Sequence, residues 1–171
     1  HLSIRRQRQM CIRDSYADVD GDGIGWRTLP GTDDPRAAYF ARGTGHDENA
    51  VYSERPDHWL ENTERLVRKF NTARSLVPQP VVELNEDAEI GMIAYGTTDA
   101  CIVEGRDILD KKGVDTSYLR IRALPLSDAT REFIENHDRV YVVENNQDAQ
   151  MAQIIRMEYP DLATKIIPMA Y

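Results

Sequence analysis

Glu89–Leu124, EIGMIAYGTTDACIVEGRDILDKKGVDTSYLRIRAL, reads as a strand, a helix and a second strand, and the fold class follows from that reading. Ile90 to Tyr95 is a short apolar run stopped by Gly96, the length and flanking expected of a strand buried on both faces of a parallel sheet. Thr97 or Thr98 can cap a helix in which Ala100, Val103, Ile108 and Leu109 fall near helical spacing. Lys111-Lys112 before Gly113 then supply a cationic last turn and a left-handed stop. Tyr118 to Leu124 forms the second strand. Two like-directed strands joined by a crossover helix make a right-handed βαβ unit, with ligands or partners met at the strands' carboxyl ends.

Working outward, Val77-Pro-Gln-Pro80 is a stiff extended connector and marks a domain boundary. Beyond it, Val81–Leu84 opens the second domain as an edge strand. Ser127–Asn136 has a capping residue and sends Phe133 and Ile134 to the core. Arg139–Glu144 is an apolar strand, a helix runs from about Gln147 to Tyr159, and Ala163–Met169 is the last strand. The expectation is an α/β domain with a mostly parallel sheet and flanking helices. Before the connector, Trp59–Arg74 alternates Leu60, Leu66, Val67 and Phe70 with Glu61, Glu64, Arg65, Arg68 and Lys69, an amphipathic helix that docks on a sheet or bridges domains. Cys101, on a helix face with no basic neighbour in sequence, reads as a small buried hydrophobe.

The first residues stand apart. Arg5–Asp14, RRQRQMCIRD, carries four arginines in ten residues within an otherwise acidic chain. One set of codons for it reproduces a transposase adapter used in preparing sequencing libraries, so residues 1–14 read as an adapter-derived artefact. They contain no apolar core or small-residue cleavage site of a targeting peptide. The chain has 171 residues, 21 Lys+Arg and 29 Asp+Glu, for a net charge of -8. Dropping Arg5, Arg6, Arg8, Arg13 and Asp14 leaves 17 cations against 28 anions, a net -11, which argues against a nucleic-acid surface. No apolar run approaches the roughly 20 residues of a membrane span. With Cys11 inside the artefact, Cys101 alone remains, so neither a disulfide framework nor a thiolate set for zinc or an iron–sulfur cluster is expected. A reducing cytoplasm fits.

Four motifs carry polar chemistry. Asp18-Val-Asp-Gly-Asp-Gly-Ile24 imitates the start of a calcium loop, but Leu29 stands where a bidentate Glu is required, and a Gly/Asp turn is the better reading. Arg27-Thr-Leu-Pro-Gly-Thr32 and Ala41-Arg-Gly-Thr-Gly-His46 set a cation or imidazole among glycines and threonines. Glycine admits a close ligand, threonine offers a hydroxyl, and arginine grips a carboxylate or phosphate through two parallel bonds. On pattern alone, arginines tying loops to nearby carboxylates compete with that reading, and His46 competes as a hydrogen-bonded loop residue. Glu144-Asn-Asn-Gln-Asp-Ala-Gln150 lies at the carboxyl end of a strand. Helix capping and intersubunit hydrogen bonding, with Asn145 and Gln150 at the interface, outweigh catalysis there.

Taken in order, DGDGIGWRTLPGT, AAYFARGTGHDENAVYSE, ENTERLVRKFNTA, VPQP, IAYGTTDA, RIRALP and VYVVENNQDAQ resemble the alpha subunit of 2-oxoacid:ferredoxin oxidoreductases, the 2-oxoglutarate synthase type most of all. The resemblance covers Tyr16–Tyr171. It implies that residues 15–77 end a domain that binds the pyrimidine of thiamine diphosphate and include a linker helix. Residues 78–171 would then form a domain similar to the carboxy-terminal domain of transketolases, truncated at its end, with both ends of the fragment cut. The implied reaction is oxidative decarboxylation of a 2-oxoacid to an acyl-coenzyme A and CO2, with electrons passed to ferredoxin. It further implies thiamine diphosphate with Mg2+ and an iron–sulfur cluster bound mainly outside the fragment, coenzyme A as co-substrate, a beta subunit as partner, and no activity of the fragment alone. Arg27 and Thr28 become the residues to hold the 2-oxoacid carboxylate, with Arg42, Thr44 and His46 near the same pocket or near coenzyme A. Gly105 departs from the alanine usual in relatives. A non-catalytic subunit-docking module is the alternative, and a calcium-binding or small-ligand α/β protein a third.

Overall fold

The computed structural model describes residues 16–25, 31–33 and 45–171. The chain divides into two compact units, His1–Ala73 and Arg74–Tyr171. The second is an α/β domain. Its sheet has five strands in the order β1-β3-β2-β4-β5, formed by β1 (Val81–Glu83), β2 (Ile90–Tyr95), β3 (Thr116–Ile121), β4 (Arg139–Glu144) and β5 (Ile166–Ala170). Only β1 runs antiparallel, at the edge beside β3, with Val82 opposite Leu119. The others are parallel, in the register Met92 opposite Tyr118 and Tyr141, and Tyr141 opposite Ile167. The βαβ unit, the mostly parallel sheet and the edge strand are therefore as the sequence indicates.

Successive strand residues point to opposite faces, and the two faces are unequal. On one, Ile93, Leu119, Ile121, Val140, Val142 and Ile166 form a single core with Phe133 and Ile134 of α3 (Asp128–Glu135) and with Met151, Ala152 and Ile155 of α4 (Gln150–Glu158). Burial of each such aliphatic side chain stabilises the fold by about 1.5–3 kcal/mol. On the other, Met92, Ala94 and Tyr118 meet only Ile102 of α2 (Thr98–Asp110), with Leu109 and Val143 at the margin. Gly91, mid-strand, is explained by this packing: a Cβ there would lie 2.8 Å from the Phe133 ring. A short 3-10 helix, Pro160–Lys165, leads into β5, and the Lys165 ammonium donates to the carbonyls of Glu135 (2.9 Å) and His137 (2.8 Å), closing the end of α3.

Several sequence expectations need correction. The second strand begins at Thr116 and ends at Ile121 rather than spanning Tyr118 to Leu124. In α2 the inward residue is Ile102, while Val103 and Ile108 face outward, and Cys101 is exposed rather than buried. The helix expected from Gln147 starts at Gln150, and the last strand starts at Ile166 because residues 160–165 coil into the 3-10 turn.

The first unit is organised differently. Its helix, α1 (Pro56–Leu76), runs to the boundary, and its last turn lies in the second unit. Trp59, Leu60, Leu66, Val67 and Phe70 fall on one stripe of α1 and all are exposed. The other side carries the Asp18–Gly23 loop. Gly23 has φ +77 and sits so close that a Cβ would lie 2.2 Å from the Lys69 backbone nitrogen. Only glycine fits both demands.

Candidate functional site

In the four parallel strands the chain passes from β2 outward to β3, then back across β2 to β4. The carboxyl ends of β2 and β4 thus flank the point where the direction of winding reverses, which is where open α/β sheets hold ligands. The group standing there is the chain's own Glu144. Only 2% of its surface is exposed. Its Oε1 accepts the Ala152 N–H at 3.0 Å, and its Oε2 accepts the Met151 N–H at 2.9 Å and the Asn146 amide at 2.8 Å. The Tyr95 hydroxyl donates to the same Oε2 at a longer 3.4 Å, and the Asn146 amide also reaches that hydroxyl at 3.3 Å.

A helix amino terminus offers unpaired N–H groups and a positive dipole end, the usual place for a ligand phosphate. Here a buried side-chain carboxylate fills it. The Asn146 side-chain Oδ1 also accepts the Gln150 N–H at 3.2 Å, and Ala149 is held in the left-handed region at φ 51. This explains the late start of α4, since residues 145–149 arch over the carboxylate. It leaves Asn145 and Gln150 exposed on the outside of the arch. The capping part of the Glu144–Gln150 reading agrees with this geometry. Glu144 itself received no role from the sequence, although an acid closing an apolar strand just before a helix is the signal that could have found it.

A second polar set ties α2 to β3. The Tyr118 hydroxyl donates to Asp99 at 2.8 Å, and Arg120 pairs with the other Asp99 oxygen at 3.1 Å. Burial, and then the Asp99 carboxylate, push the Tyr118 phenol well above its ordinary value. Arg106 reaches Glu83 at 2.5 Å and the Thr116 carbonyl at 3.1 Å, bracing the edge strand.

In the first unit, Asp18 accepts the Gly23 N–H at 2.7 Å and the Arg68 Nε–H at 2.8 Å. Burial disfavours its charge, but the Arg68 guanidinium and the Gly23 amide outweigh that and hold the carboxyl below its ordinary value. Arg65 donates to the Gly23 carbonyl at 3.0 Å and Thr72 to the Asp22 carbonyl at 2.7 Å. Of the aspartates that suggested a calcium loop, Asp18 thus ties the turn to α1 through its side chain and Asp22 through its carbonyl. Among the described residues, no group of three or more His, Cys, Asp or Glu is placed to hold a metal ion, and no helix is long and apolar enough to cross a membrane.

Of the residues chosen for substrate, Arg27, Thr28, Arg42 and Thr44 lie outside the described residues. His46 is half-buried. Its ring stacks on Tyr16 at 3.9 Å, its Nδ1 lies 2.9 Å from the Asp47 carbonyl, and its own carbonyl accepts the Asn62 amide at 2.7 Å. These bonds place it as an anchored loop residue beside α1.

Comparison with known proteins gives a consistent set of relatives, although no family model matches the chain. It is 26% identical over 144 residues, 81% of its length, to 2-oxoacid:ferredoxin oxidoreductase 2, subunit alpha, of Aeropyrum pernix. It is 31% identical over 125 residues to subunit alpha of oxidoreductase 1 of the same organism, covering 68% of the chain, and 22% identical over 145 residues to the Saccharolobus solfataricus alpha subunit. The chain spans 22%, 19% and 22% of those relatives, about a fifth of their length. Among solved structures, the 2-oxoglutarate:ferredoxin oxidoreductase of Magnetococcus marinus, with 2-oxoglutarate, coenzyme A and succinyl-CoA bound, matches 92% of the chain and 27% of its own. The TM-score is 0.73 at 24% identity, which establishes a shared fold.

Proposed function

We propose that this chain, a relative of the alpha subunits of 2-oxoacid:ferredoxin oxidoreductases, forms part of such a subunit and supports oxidative decarboxylation of a 2-oxoacid, 2-oxoglutarate first among candidates. CO2 leaves, the acyl group passes to coenzyme A, and the released electron pair goes to ferredoxin. The observation that carries this reading is the sequence relationship over 81% of the chain to a named alpha subunit. A beta subunit and ferredoxin are the proposed partners, and the cytoplasm the proposed location.

Thiamine diphosphate with Mg2+ would supply the carbanion chemistry of the reaction, and an iron–sulfur cluster the electron transfer, both held mainly outside this chain. The described residues do not fit either group. They hold no metal-binding cluster, and the anion position of the α/β unit is taken by Glu144. The proposed division of labour follows. Residues 78–171 dock subunits and present Asn145 and Gln150 to a neighbour, while residues 15–77 belong to the pyrimidine-binding domain and approach the substrate. Within the latter, Arg27 and Thr28 hold the 2-oxoacid carboxylate, and Arg42, Thr44 and His46 stand near it or near coenzyme A.

The test uses the complete alpha subunit with its beta partner, assayed for ferredoxin reduction dependent on both a 2-oxoacid and coenzyme A. Activity with 2-oxoglutarate is expected, and none from the 171-residue chain alone. Arg27→Lys should lower kcat/KM by about 1.5–3 kcal/mol, because lysine cannot reproduce a two-bond grip on a carboxylate. An assembled enzyme with no 2-oxoacid-dependent reduction would overturn the reading. Unchanged kcat/KM in Arg27→Lys would remove Arg27 from the site and leave the rest standing.

A further inference from the structure

Two loops of the first unit meet on one face of α1: the Asp18–Gly23 turn, and a second loop from His46 to Tyr52 whose ends pair with each other. Asn62, Arg65, Arg68 and Thr72, three or four residues apart, fall on the same side of the helix. Asn62 holds the second loop through the His46 carbonyl at 2.7 Å, while Arg68 and Thr72 hold the first through the Asp18 carboxylate and the Asp22 carbonyl. Arg65 stands between them and reaches both. Its Nη1 donates to the Gly23 carbonyl at 3.0 Å, and its guanidinium lies 5.6 Å from the centre of the Tyr16 ring, which stacks on His46 at 3.9 Å. The Tyr16 N–H donates to the Glu48 carbonyl at 3.2 Å, so that ring belongs to the second loop.

Packing alone does not account for an arginine here. Arg65 is only 8% exposed, its Nε has no hydrogen-bond partner among the described residues, and the Asp18 carboxylate pairs with Arg68 instead. A guanidinium in that state loses water without recovering a carboxylate, and an aliphatic side chain could fill the space without that cost. What the guanidinium adds is geometry: a donor fixed on one loop and a cationic plane fixed against the aromatic pair of the other.

We propose that Arg65 is a positioning residue, which locks the Gly23 turn and, through Tyr16, the His46 ring onto α1 as one body. The chain runs from the first loop into Arg27 and Thr28, and it enters the second from Arg42 and Thr44. The spacing of the two loops therefore sets where both segments are anchored. The proposal rests on the reading that places His46 near the 2-oxoacid or coenzyme A; Arg65 acts through the loops and touches neither ligand.

Arg65→Met keeps the aliphatic stem and removes both contacts, whereas Arg65→Lys keeps a donor and a cation. In the 171-residue chain, followed by NMR, Arg65→Met should shift the Gly23 amide and also the His46 ring protons, which lose the ring current of Tyr16. Arg65→Lys should recover most of that change. Arg68→Gln, which releases the first loop from its ion pair, should shift Gly23 and leave His46 in place. In the complete alpha subunit with its beta partner, Arg65→Met should raise KM for the 2-oxoacid or for coenzyme A about tenfold, with a smaller change in kcat and partial recovery in Arg65→Lys. Where Arg65→Met does not fold, Tyr16→Leu replaces it and should raise the same KM with the Gly23 amide unmoved. A His46 ring that stays in place in Arg65→Met would overturn the proposal. So would unchanged KM values, or activity lost only because the subunits no longer assemble. An enzyme with no 2-oxoacid-dependent reduction would count against the proposed function alone, because the coupling of Gly23 to His46 is read without activity.

Discussion

Residues 74–171 and the described residues of the first unit are held together by different physics. The second unit is built from burial: thirteen residues of one core cluster close over a single face of the sheet, from Ile93 and Val142 to Phe133 and Ile155. In the first unit, Ala50 is the one hydrophobic residue of the described segments that is buried, and the contacts between the loop and α1 are mainly polar or steric, beside the Tyr16–His46 stack. Asp18 holds Gly23 and Arg68, Arg65 and Thr72 hold loop carbonyls, and a glycine lets the loop touch α1. Meanwhile Trp59 is 67% exposed and Phe70 55% on the opposite stripe. Helices in proteins take most of their stability from packing an apolar face, and none of the described residues buries this stripe of α1.

Pairs of substitutions can break or sharpen this contrast. Phe133→Ala, at a site 2% exposed, should cost about 3–5 kcal/mol in urea unfolding, while Phe70→Ala on α1 should stay within about 0.5 kcal/mol. Comparable losses would abolish the distinction. Next in size, Glu144→Ala leaves the Met151 and Ala152 amides without their buried acceptor and should cost about 1–3 kcal/mol by the same measurement. Gly105 lies in the interior of α2 with nothing within 4 Å of where a Cβ would stand. Gly105→Ala should therefore stabilise the second unit by about 1 kcal/mol, visible as a higher melting temperature.

The smallest effect is the pH dependence of the Asp18 loop. Its carboxyl is lowered in the folded state, so its contribution is complete above the ordinary value of 3.8 and disappears as pH falls through the lower folded value. The Gly23 amide, followed by NMR, should lose its hydrogen bond in that acid range before the sheet unfolds. In Asp18→Asn the acid-dependent step should be absent.

Much of this architecture was legible because local and global signals agree. β2 and β4 match their expected limits, residues 90–95 and 139–144, since each is an apolar run closed by turn-forming residues. The buried face of α2 was not legible. Its sequence has apolar residues on two sides, and only the sheet beneath decides that Ile102 and not Val103 points inward. The start of α4 was missed because a carboxylate from β4 displaces the first turn, a contact between residues seven and eight apart. For α1 the amphipathic pattern names a face and not the surface that covers it, and among the described residues that face is exposed. At the candidate site the sequence located the loop at the carboxyl end of β4 and missed the buried acid that shapes it.

Residue-resolved hydrogen exchange on the 171-residue chain tests the contrast most directly. The central amides of β2, β3 and β4 should exchange only through global unfolding, while the amides of α1 between Trp59 and Phe70 exchange orders of magnitude faster through local opening. Protection of α1 equal to that of β2 would contradict the account, because it would mean that α1 already possesses packing that, among the described residues, only residues 74–171 show.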